Sequence, residues 1–561
     1  MAPAMRSAFA VALVLALAAC STPPVAPAGS DAWQVIDSVA DSVVAADLGA
    51  ADGDKATDAA VVLDAAAADQ DAAVETAQAV SDTASSNADA TADASDAAAD
   101  AAVSVVVSLG EPGGTWQPQP GAGCVEPDAA AAAGCAGVVC PADKTCAGAG
   151  SCVPDSAFWV EPGALADQAW AAVATRDDGA YAAAWAVGNY FTGQQNVWLR
   201  VFAQGDEVGN PALQVSGGGP AAHLAPSVAA LTDGTWLVLW RSDLQAKDEI
   251  KYFARKVLAD GSAAPDPPFQ VNITVLSSSG SMGASNIIAP LVVRLRNGRL
   301  LMAWSGAAKP GVSGTLGPLG IYARMFDQSG QPLGGELDTG ALVGPSYSPA
   351  IAPLAGGQVL LAWEGPVAGG KGPRVVRGRA FGDQGQPLGP VLTLTPALQD
   401  YEALPAVATY ESGQTLLTYK AGDNPNATSA VTVRGRLLGA DLPTLPGVPV
   451  PAGLPHALDF DGQGTYPGGA AVASLSEQRA MAVWHNLDQP SQTIWGRRHY
   501  RSVDAWDCMA SDLGGPKLPN EAGVRFLPGL ATWPNGKWVL VFSALLTGID
   551  EYRVAVRLGG W

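Results

Sequence analysis

The sequence predicts an all-β protein whose main domain, residues 155–561, is a seven-bladed β-propeller of four-stranded blades. A unit of about 55–65 residues occurs seven times, and each unit has a tight turn followed six residues later by an aromatic residue. A β-solenoid would need much shorter repeats, and a string of separate sandwiches would need more residues per unit. The turns and their aromatic residues are Gly179 and Trp185, Gly234 and Trp240, Gly298 and Trp304, Gly357 and Trp363, Gly413 and Tyr419, Gln478 and Trp484, and Gly536 and Phe542.

Each unit begins with a predicted β-hairpin, because its first two strands flank a tight turn of the Asp-Gly, Asn-Gly or Gly-Gly type. A third strand follows and carries an arginine among alternating residues, as in Tyr322, Arg324 and Phe326. Because these three side chains share one face, we expect the arginine stem and guanidinium to pack between sheets. A further turn leads into a fourth strand. The seven arginines are Arg200, Arg255, Arg324, Arg379, Arg436, Arg497 and Arg557.

The two ends of the propeller are predicted to share one blade. The last unit stops at Trp561, just past its third strand, so its fourth strand must come from elsewhere. The segment from Ala157 to Val160 is strand-like and has no other partner in the repeat pattern. Pairing this segment with the last unit would close the ring and remove two exposed strand edges.

The first twenty residues predict export. One positive charge, Arg6, precedes an apolar run of about ten residues, which is too short to span a bilayer. The Leu-Ala-Ala-Cys tetrad at 17–20 resembles the lipobox of bacterial lipoproteins, which implies that Cys20 is acylated and becomes the mature N-terminus. An ordinary secretory signal with a chance cysteine is the alternative. Ser21 stands where an inner-membrane retention signal of that family has Asp, which favours the outer membrane or cell surface of a Gram-negative bacterium.

Residues 21–120 are predicted to be a low-complexity tether that is disordered or partly helical. The stretch 21–123 holds about 17 acids and one Lys, and so carries about 16 of the 22 net negative charges. Aromatic residues are nearly absent after Trp33, so the segment cannot bury enough surface to offset its ordering entropy. A coil of about 100 residues reaches about 50–60 Å, and more when it is charged. The tether would therefore hold the next domain away from a membrane.

Residues 121–154 are predicted to form a small disulfide-rich module. Apart from Cys20 the chain has six cysteines, and an even number in an exported chain indicates disulfides. Five of them fall within about thirty residues, so one must pair outside the module. We favour a bond between Cys124 and Cys508, while the other pairings stay open. A zinc site would favour Cys-x2-Cys pairs, which are missing. The six cysteines are Cys124, Cys135, Cys140, Cys146, Cys152 and Cys508.

The run from Cys135 to Cys152 is similar to a short Cys-rich motif of surface lipoproteins from myxobacteria and their relatives. Together with the lipobox, that resemblance implies a lipid-anchored surface protein. The charge balance of the chain is acidic, since 31 Lys and Arg against 53 Asp and Glu give a net charge of -22. Such an acidic chain repels phosphate backbones, so nucleic acid is not an expected partner.

No catalytic residue, metal site or cofactor is predicted. The chain has 4 His, and no Ser-His-Asp order, HExxH, P-loop or nucleophile elbow is visible. The sialidase Asp-box pattern occurs once at best, from Thr175 to Tyr181, so the resemblance to sialidases is weak. The nearest approach to a calcium loop, Asp459 to Gly462, has too few ligands.

One face of the propeller is the predicted binding surface, because loops on a rigid scaffold are where binding usually resides. The residue directly after each repeated aromatic is expected to form a ring near this face, which we call the post-aromatic ring. A solvated rim is the alternative. The ring consists of Ala186, Arg241, Ser305, Glu364, Lys420, His485 and Ser543. The candidate binding residues are Arg241, Glu364, Lys420 and His485 of the ring, with Tyr190 and Tyr347 from nearby segments.

The sequence therefore predicts a binding or scaffolding lipoprotein of the cell envelope. Its expected partners are a membrane, through the lipid anchor, and an unknown carbohydrate, peptide or envelope protein. A hydrolase or lyase that acts on glycans is the alternative, since propellers host such activities, but an analogy of fold is weak support. A structural envelope component without a ligand is a third possibility. The pattern of aromatic and mixed polar residues favours a binding protein over an enzyme.

Overall fold

The computed structural model contains two 3₁₀ helices, Ala355–Gly357 and Arg501–Val503, and is otherwise built of strands and loops in its described part. No helix of the described residues is long and apolar enough to cross a membrane. The predicted signal, Cys20, the tether, Cys135, Cys140, Cys508 and Tyr190 lie outside the described residues. The structure describes residues 124–125, 144–146, 152–154, 157–161, 167–189, 194–203, 209–217, 221–244, 249–277, 289–309, 319–341, 346–367, 374–395, 401–422, 432–440, 456–457, 467–486, 494–503, 505–507, 511–513, 522–546 and 551–560.

Seven sheets, antiparallel except where β1 joins blade 6, form a β-propeller, which confirms the predicted fold class. The innermost strand of each blade contacts that of the next, and the seventh contacts the first, so the ring is closed. Four short strands precede the first blade: β1 (Cys124–Val125), β2 (Lys144–Cys146), β3 (Cys152–Pro154) and β4 (Phe158–Trp159).

The first four blades each contain four strands, in chain order from the inside outwards. Blade 1 is β5 (Gln168–Thr175), β6 (Tyr181–Asn189), β7 (Gln194–Phe202) and β8 (Leu213–Gln214); blade 2 is β9 (Ala222–Ala230), β10 (Trp236–Leu244), β11 (Glu249–Val257) and β12 (Phe269–Gln270). Blade 3 is β13 (Leu291–Arg294), β14 (Leu300–Ala307), β15 (Leu319–Phe326) and β16 (Pro332–Glu336); blade 4 is β17 (Tyr347–Pro353), β18 (Val359–Pro366), β19 (Arg374–Phe381) and β20 (Leu392–Thr393).

The last three blades follow the same order, with two departures at their outer edges. Blade 5 is β21 (Tyr401–Thr409), β22 (Thr415–Gly422), β23 (Thr432–Leu438) and β24 (His456–Ala457). Blade 6 is β25 (Pro467–Ser474), β26 (Arg479–Asn486) and β27 (Ile494–Tyr500), with an outer edge of β28 (Ala505–Asp507) and β29 (Ser511–Asp512); blade 7 is β30 (Ala522–Thr532), β31 (Lys537–Leu546) and β32 (Glu551–Gly560).

The N-terminal strand β4 completes blade 7, as the sequence predicts. Phe158 pairs with Val556 and Trp159 with Ala555, and the Val160 amide donates to the Val554 carbonyl at 3.0 Å. The exposed outer edge of β32 is covered in this way, and both ends of the propeller are held in one sheet.

Blade 6 differs from the predicted four strands because β1 joins it. Cys124 is the parallel register partner of Trp506 in β28, and the sheet has six strands in all. An outer edge made of two short strands leaves backbone groups unpaired, and β1 covers part of it. In the hairpin of β2 and β3, Cys146 and Cys152 are register partners. The backbone thus places two predicted disulfide residues opposite each other, while the disulfides themselves stay a prediction.

The repeated aromatic residues lie in the cores between blades. Trp363 of blade 4 is fully buried and packs in one cluster with Leu301 and Ile321 of blade 3. Trp304 of blade 3 likewise packs with Leu237 of blade 2. Because side chains alternate along a strand, the residue after each aromatic faces the other way, towards the next blade.

The repeated arginines join each blade to the one before it, in agreement with the predicted packing role. In six blades the arginine Nη1 donates to a backbone carbonyl that lies just after the outer strand of the preceding blade. The pairs are Arg200 with Val160 (2.6 Å), Arg255 with Val215 (3.1 Å), Arg324 with Val271 (3.1 Å), Arg379 with Asp338 (2.9 Å), Arg436 with Leu394 (2.9 Å) and Arg557 with Leu513 (2.6 Å).

A bulge in the innermost strand recurs opposite the aromatic residue. In blade 5 the register shifts between Ala403 and Ala406, and Leu404 there has a φ of 50°. A left-handed φ at a non-glycine residue costs about 1–3 kcal/mol, so the surrounding sheet must hold it. In four of these blades a proline follows the left-handed residue. The left-handed residues are Trp170, Ala225, Ser348, Leu404 and Leu527.

Candidate functional site

The structure places the charged members of the post-aromatic ring inside the propeller. Arg241, Glu364, Lys420 and His485 are 3%, 4%, 8% and 5% exposed. Ala186 lies against the bulge of the next blade, where it packs against Ala225. The ring is thus a set of buried interblade positions, and only its surroundings can reach solvent. Tyr347 is half-buried.

One ring member, Glu364, lies at the centre of a polar cluster between blades 4 and 5. Tyr347 is its register partner on β17, and Ser348 follows at the bulge. Arg374 begins β19, and Tyr401 begins β21 of the next blade. We call these five residues the blade 4–5 cluster.

The Glu364 carboxylate is fully engaged by its neighbours. Its Oε1 accepts a hydrogen bond from Arg374 Nη1. Its Oε2 accepts one from the Leu404 amide at 3.0 Å and one from the Ser348 hydroxyl at 3.4 Å. The bulge of blade 5 turns the Leu404 amide towards blade 4, so the strained backbone at Leu404 supplies a ligand to this acid.

Arg374 joins the buried acid to the surface. Its Nη1 also donates to the Tyr401 hydroxyl at 2.9 Å. The guanidinium carbon lies 4.1 Å from the centre of the Tyr347 ring and 5.4 Å from that of Tyr401. The Arg374 side chain is 24% exposed, whereas that of Glu364 is 5% exposed. The guanidinium is therefore fixed in orientation by two rings and an acid, and part of it remains accessible.

Burial sets the electrostatics of this cluster. It raises the pKa of Glu364, although the Leu404 amide, the Arg374 charge and the Ser348 hydroxyl work in the opposite direction. Burial would lower the pKa of Arg374, but the nearby Glu364 charge reverses this and the pKa is raised. Burial and the Glu364 charge raise the pKa of Tyr401 to about 12. Arg374 and Glu364 form an ion pair, and the raised pKa of Tyr401 keeps the hydroxyl beside it neutral near pH 7.

The ion pair of this cluster is an exception to the repeat. The residues that share the register position of Tyr347 in other blades are Ala169, Leu224, Ala403 and Phe526. Arg374 lies on the third strand of its blade, opposite the residue two positions after the ring member. In the other blades where this position is described, it holds Gln195, Ile250, Leu319 and Tyr552. The scaffold can therefore be built without this ion pair.

The other candidate residues do not join this cluster. Arg241 forms an ion pair with Asp243, with Nε to Oδ1 at 2.7 Å. His485 is buried, and burial together with the Lys420 charge lowers its pKa to about 4, so it is neutral at physiological pH. No group of three or more His, Cys, Asp or Glu side chains able to hold a metal ion is found among the described residues.

A cavity of about 330 Å³ lies at the opposite end of the strands, beside the turns between first and second strands. Its lining includes Arg294 and Arg296 of blade 3 and Asp177 of blade 1. Arg296 donates to the Tyr410 carbonyl at 2.9 Å, and Arg294 lies 4.0 Å from Asp177. These contacts tie blade 3 to blades 5 and 1, so the lining residues serve packing.

Sequence reasoning found Glu364 and Tyr347 but missed Arg374, Ser348, Tyr401 and the Leu404 amide. A register alignment of the seven units would have singled out Arg374, because that position is uncharged in the other blades where it is described. The prolines after the left-handed residues would have marked the bulges. A contact between two blades leaves no pattern within one repeat unit. The sequence therefore could not show that the side chains of the blade 4–5 cluster lie together.

No family model and no curated protein matches this chain. Solved structures with a similar fold include a PL25 polysaccharide lyase, an ulvan lyase, with a TM-score of 0.44 at 9% identity over 72% of this chain and 96% of that one. A Penicillium chrysogenum α-L-arabinanase complexed with arabinobiose gives a TM-score of 0.37 at 17% identity over 60% and 93% of the two chains. A Dyadobacter fermentans protein of unknown function gives 0.43 at 12% identity over 60% and 94%. These are likenesses of architecture.

Proposed function

We propose that this chain is an exported lipoprotein, anchored through Cys20 at the outer membrane or cell surface, whose propeller binds a glycan at the blade 4–5 cluster. The observation that carries the binding site is the Arg374 guanidinium, held over Tyr347 and against Tyr401 with 24% of its side chain exposed. The anchor is supported by the lipobox resemblance at 17–20, and the tether by the composition of 21–120.

The chemistry of the cluster suits a sugar. Aromatic rings offer flat apolar faces, and planar charged groups offer several hydrogen bonds in a fixed geometry. Ligand-binding sites usually combine apolar walls with a few precisely positioned polar groups. Because Arg374 is already ordered by Glu364 and Tyr401, a ligand would lose less free energy in ordering it.

A glycan-acting hydrolase or lyase is the second candidate. Its support is Glu364, a buried carboxyl whose pKa is raised and which lies beside a charged and partly exposed group. Hydrolysis usually needs a second carboxylate that faces the substrate. Of the described acids, Glu402 also lies between blades 4 and 5, but it is fully buried and bonded to Thr395. A hydrolytic role is therefore less well supported than binding.

The test is a glycan-array screen of the full chain, followed by calorimetry on each glycan that binds. Tyr347→Ala should weaken binding at least tenfold, because it removes the ring under Arg374. Tyr552→Ala is the matched control, since Tyr552 is half-buried and takes the Arg374 position in blade 7. Binding to no glycan, or equal losses in both variants, would reject the proposed site. Release of shorter sugars from a bound glycan would replace binding by the enzymatic function.

A further inference from the structure

We propose, building on the glycan-binding role above, that the glycan is acidic: a uronate carboxylate docks on the outward edge of the Arg374 guanidinium, and Glu364 takes up a proton when it does. The proton comes from solvent, and no covalent bond to the ligand forms or breaks.

The first support is the way Arg374 uses its donors. A guanidinium has five N–H donors arranged as a rigid fork. The hydrogen bonds of Arg374 to Glu364 and to the Tyr401 hydroxyl both leave from Nη1. Neither of these bonds uses the donors on Nε and Nη2, which, among the described residues, remain for a ligand. A pair of parallel N–H groups matches the two oxygens of a carboxylate better than it matches single hydroxyl groups.

The second support is the rigidity of the guanidinium. It lies over the Tyr347 ring at 4.1 Å and is held from the blade 5 side by Tyr401. An arginine on the surface would lose side-chain entropy when it binds an anion, whereas Arg374 is already placed. The same rings would pack against the sugar that carries the carboxylate.

The third support is the charge balance between Glu364 and a bound anion. With Glu364 ionised, the pair with Arg374 is neutral, and a ligand carboxylate would bring an uncompensated negative charge next to a buried one. The groups that face Glu364 are Arg374 from β19, Tyr401 and the Leu404 amide from β21, and Tyr347 and Ser348 from β17.

Of these groups, Glu364 can restore neutrality most readily. Burial raises its pKa, which brings protonation closer to neutral pH, and a second carboxylate near Arg374 would raise it further. The pKa of Tyr401 is raised to about 12, so its hydroxyl stays neutral. Arg374 stays charged, because its pKa is raised as well. Anion binding and proton uptake at Glu364 are therefore linked.

The experiment compares oligogalacturonate with its methyl ester, two probes that share a sugar backbone and differ in charge. Isothermal titration calorimetry of the full chain at pH 6 to 7, in two buffers of different ionisation enthalpy, measures both affinity and proton uptake. We expect at least tenfold tighter binding of the acid, uptake of a proton only with the acid, and stronger binding as the pH falls. Oligoglucuronate and oligomannuronate, run in parallel, show whether another uronate is preferred.

Two variants separate the roles of the ion pair. Glu364→Gln should abolish the proton uptake and flatten the pH dependence of binding to the acid, because the amide cannot ionise. Arg374→Gln should remove the preference for the acid over the ester. Arg553→Gln is the control. Like Arg374, Arg553 pairs with a glutamate, here Glu551 at 3.3 Å, and its side chain is about as buried as that of Arg374. A melting curve for each variant confirms that it folds.

The outcomes distinguish this inference from the function on which it rests. Equal binding of acid and ester, weakened by Tyr347→Ala, would keep the glycan site and overturn the uronate assignment. Tight acid binding without proton uptake would overturn the role of Glu364. If neither these probes nor any glycan of the array binds, both the glycan-binding function and the uronate assignment are rejected.

Discussion

Two arginines in one interface show how the propeller separates scaffold from site. Arg436 and Arg374 both lie between blades 4 and 5. Arg436 donates to the Leu394 carbonyl at 2.9 Å, a contact that recurs in five other blades. Arg374 instead bonds a buried acid and a tyrosine hydroxyl and lies over an aromatic ring. The first contact occurs in six blades, whereas the second is an exception.

The groups that accept hydrogen bonds from Arg436 and Arg374 explain why the first arginine serves the scaffold and the second the proposed site. A backbone carbonyl is present whatever the sequence of the outer strand, so an arginine that uses it can be repeated around the ring. The Arg374 contacts need three particular side chains, and one of them, Glu364, is held in turn by a bulge in the neighbouring blade. A position that departs from the repeat in this way is not needed for closure, which makes it the better candidate for binding.

The largest expected effect is on a repeated core residue. Trp363→Ala should lower the free energy of unfolding by about 3–5 kcal/mol, because it leaves a cavity between blades 3 and 4. Urea denaturation measures the loss. Tyr347→Ala is the matched change at an exceptional position and should cost well under half as much. Similar losses in the two variants would contradict the division into scaffold and site.

The next largest effect is expected from loss of the predicted disulfide bond between Cys124 and Cys508, which would stabilise the scaffold. Cys124→Ser should cost about 2–4 kcal/mol if the predicted bond to Cys508 closes its long loop. The backbone pairing of Cys124 with Trp506 brings this strand beside the segment that leads to Cys508. Peptide mapping without reductant identifies the bond, and glycan binding should not change. A Cys124 thiol that reacts freely with alkylating agents would exclude the bond.

The repeated arginine contact should have a smaller effect. Arg436→Gln is expected to lower the free energy of unfolding by about 1.5–3 kcal/mol, since a charged donor to a carbonyl is lost. Thermal and urea denaturation measure this change, and calorimetry should show unaltered glycan affinity. Arg374→Gln, in the same interface, should show the reverse pattern. A variant of Arg436 that abolishes binding would remove the distinction between the two arginines.

The smallest effect is a pH dependence of stability. The pKa of Glu364 is raised in the folded protein, so the folded state holds its proton at higher pH than the unfolded chain does. The Glu364 contribution to the free energy of unfolding should therefore fall as the pH rises from the unfolded pKa through the folded one. Glu364→Gln should lack that part of the dependence. Parallel pH profiles in the two proteins would show that Glu364 titrates normally.

Local and periodic features could be predicted from the sequence. Four of the seven hairpin turns are set by Gly with a preceding Asp or Asn, and each third-strand arginine is placed by alternation along one strand. The pairing of Phe158 with the last blade followed from counting strands, because a sheet edge left open must find a partner. The six strands of blade 6 could not be counted in this way, since β1 precedes the repeats and carries no repeat pattern.

The sequence alone determined the seven units, their order and the closure, because each depends on residues within one unit or at the two ends. It also pointed to Glu364 and Tyr347, but it placed the ring at an exposed face. The tertiary structure buries Glu364, because side-chain alternation turns it towards the next blade, whose bulge then covers it. Only that packing brings together Arg374, Tyr401 and the Leu404 amide, since contacts between blades depend on radial closure and not on any local period.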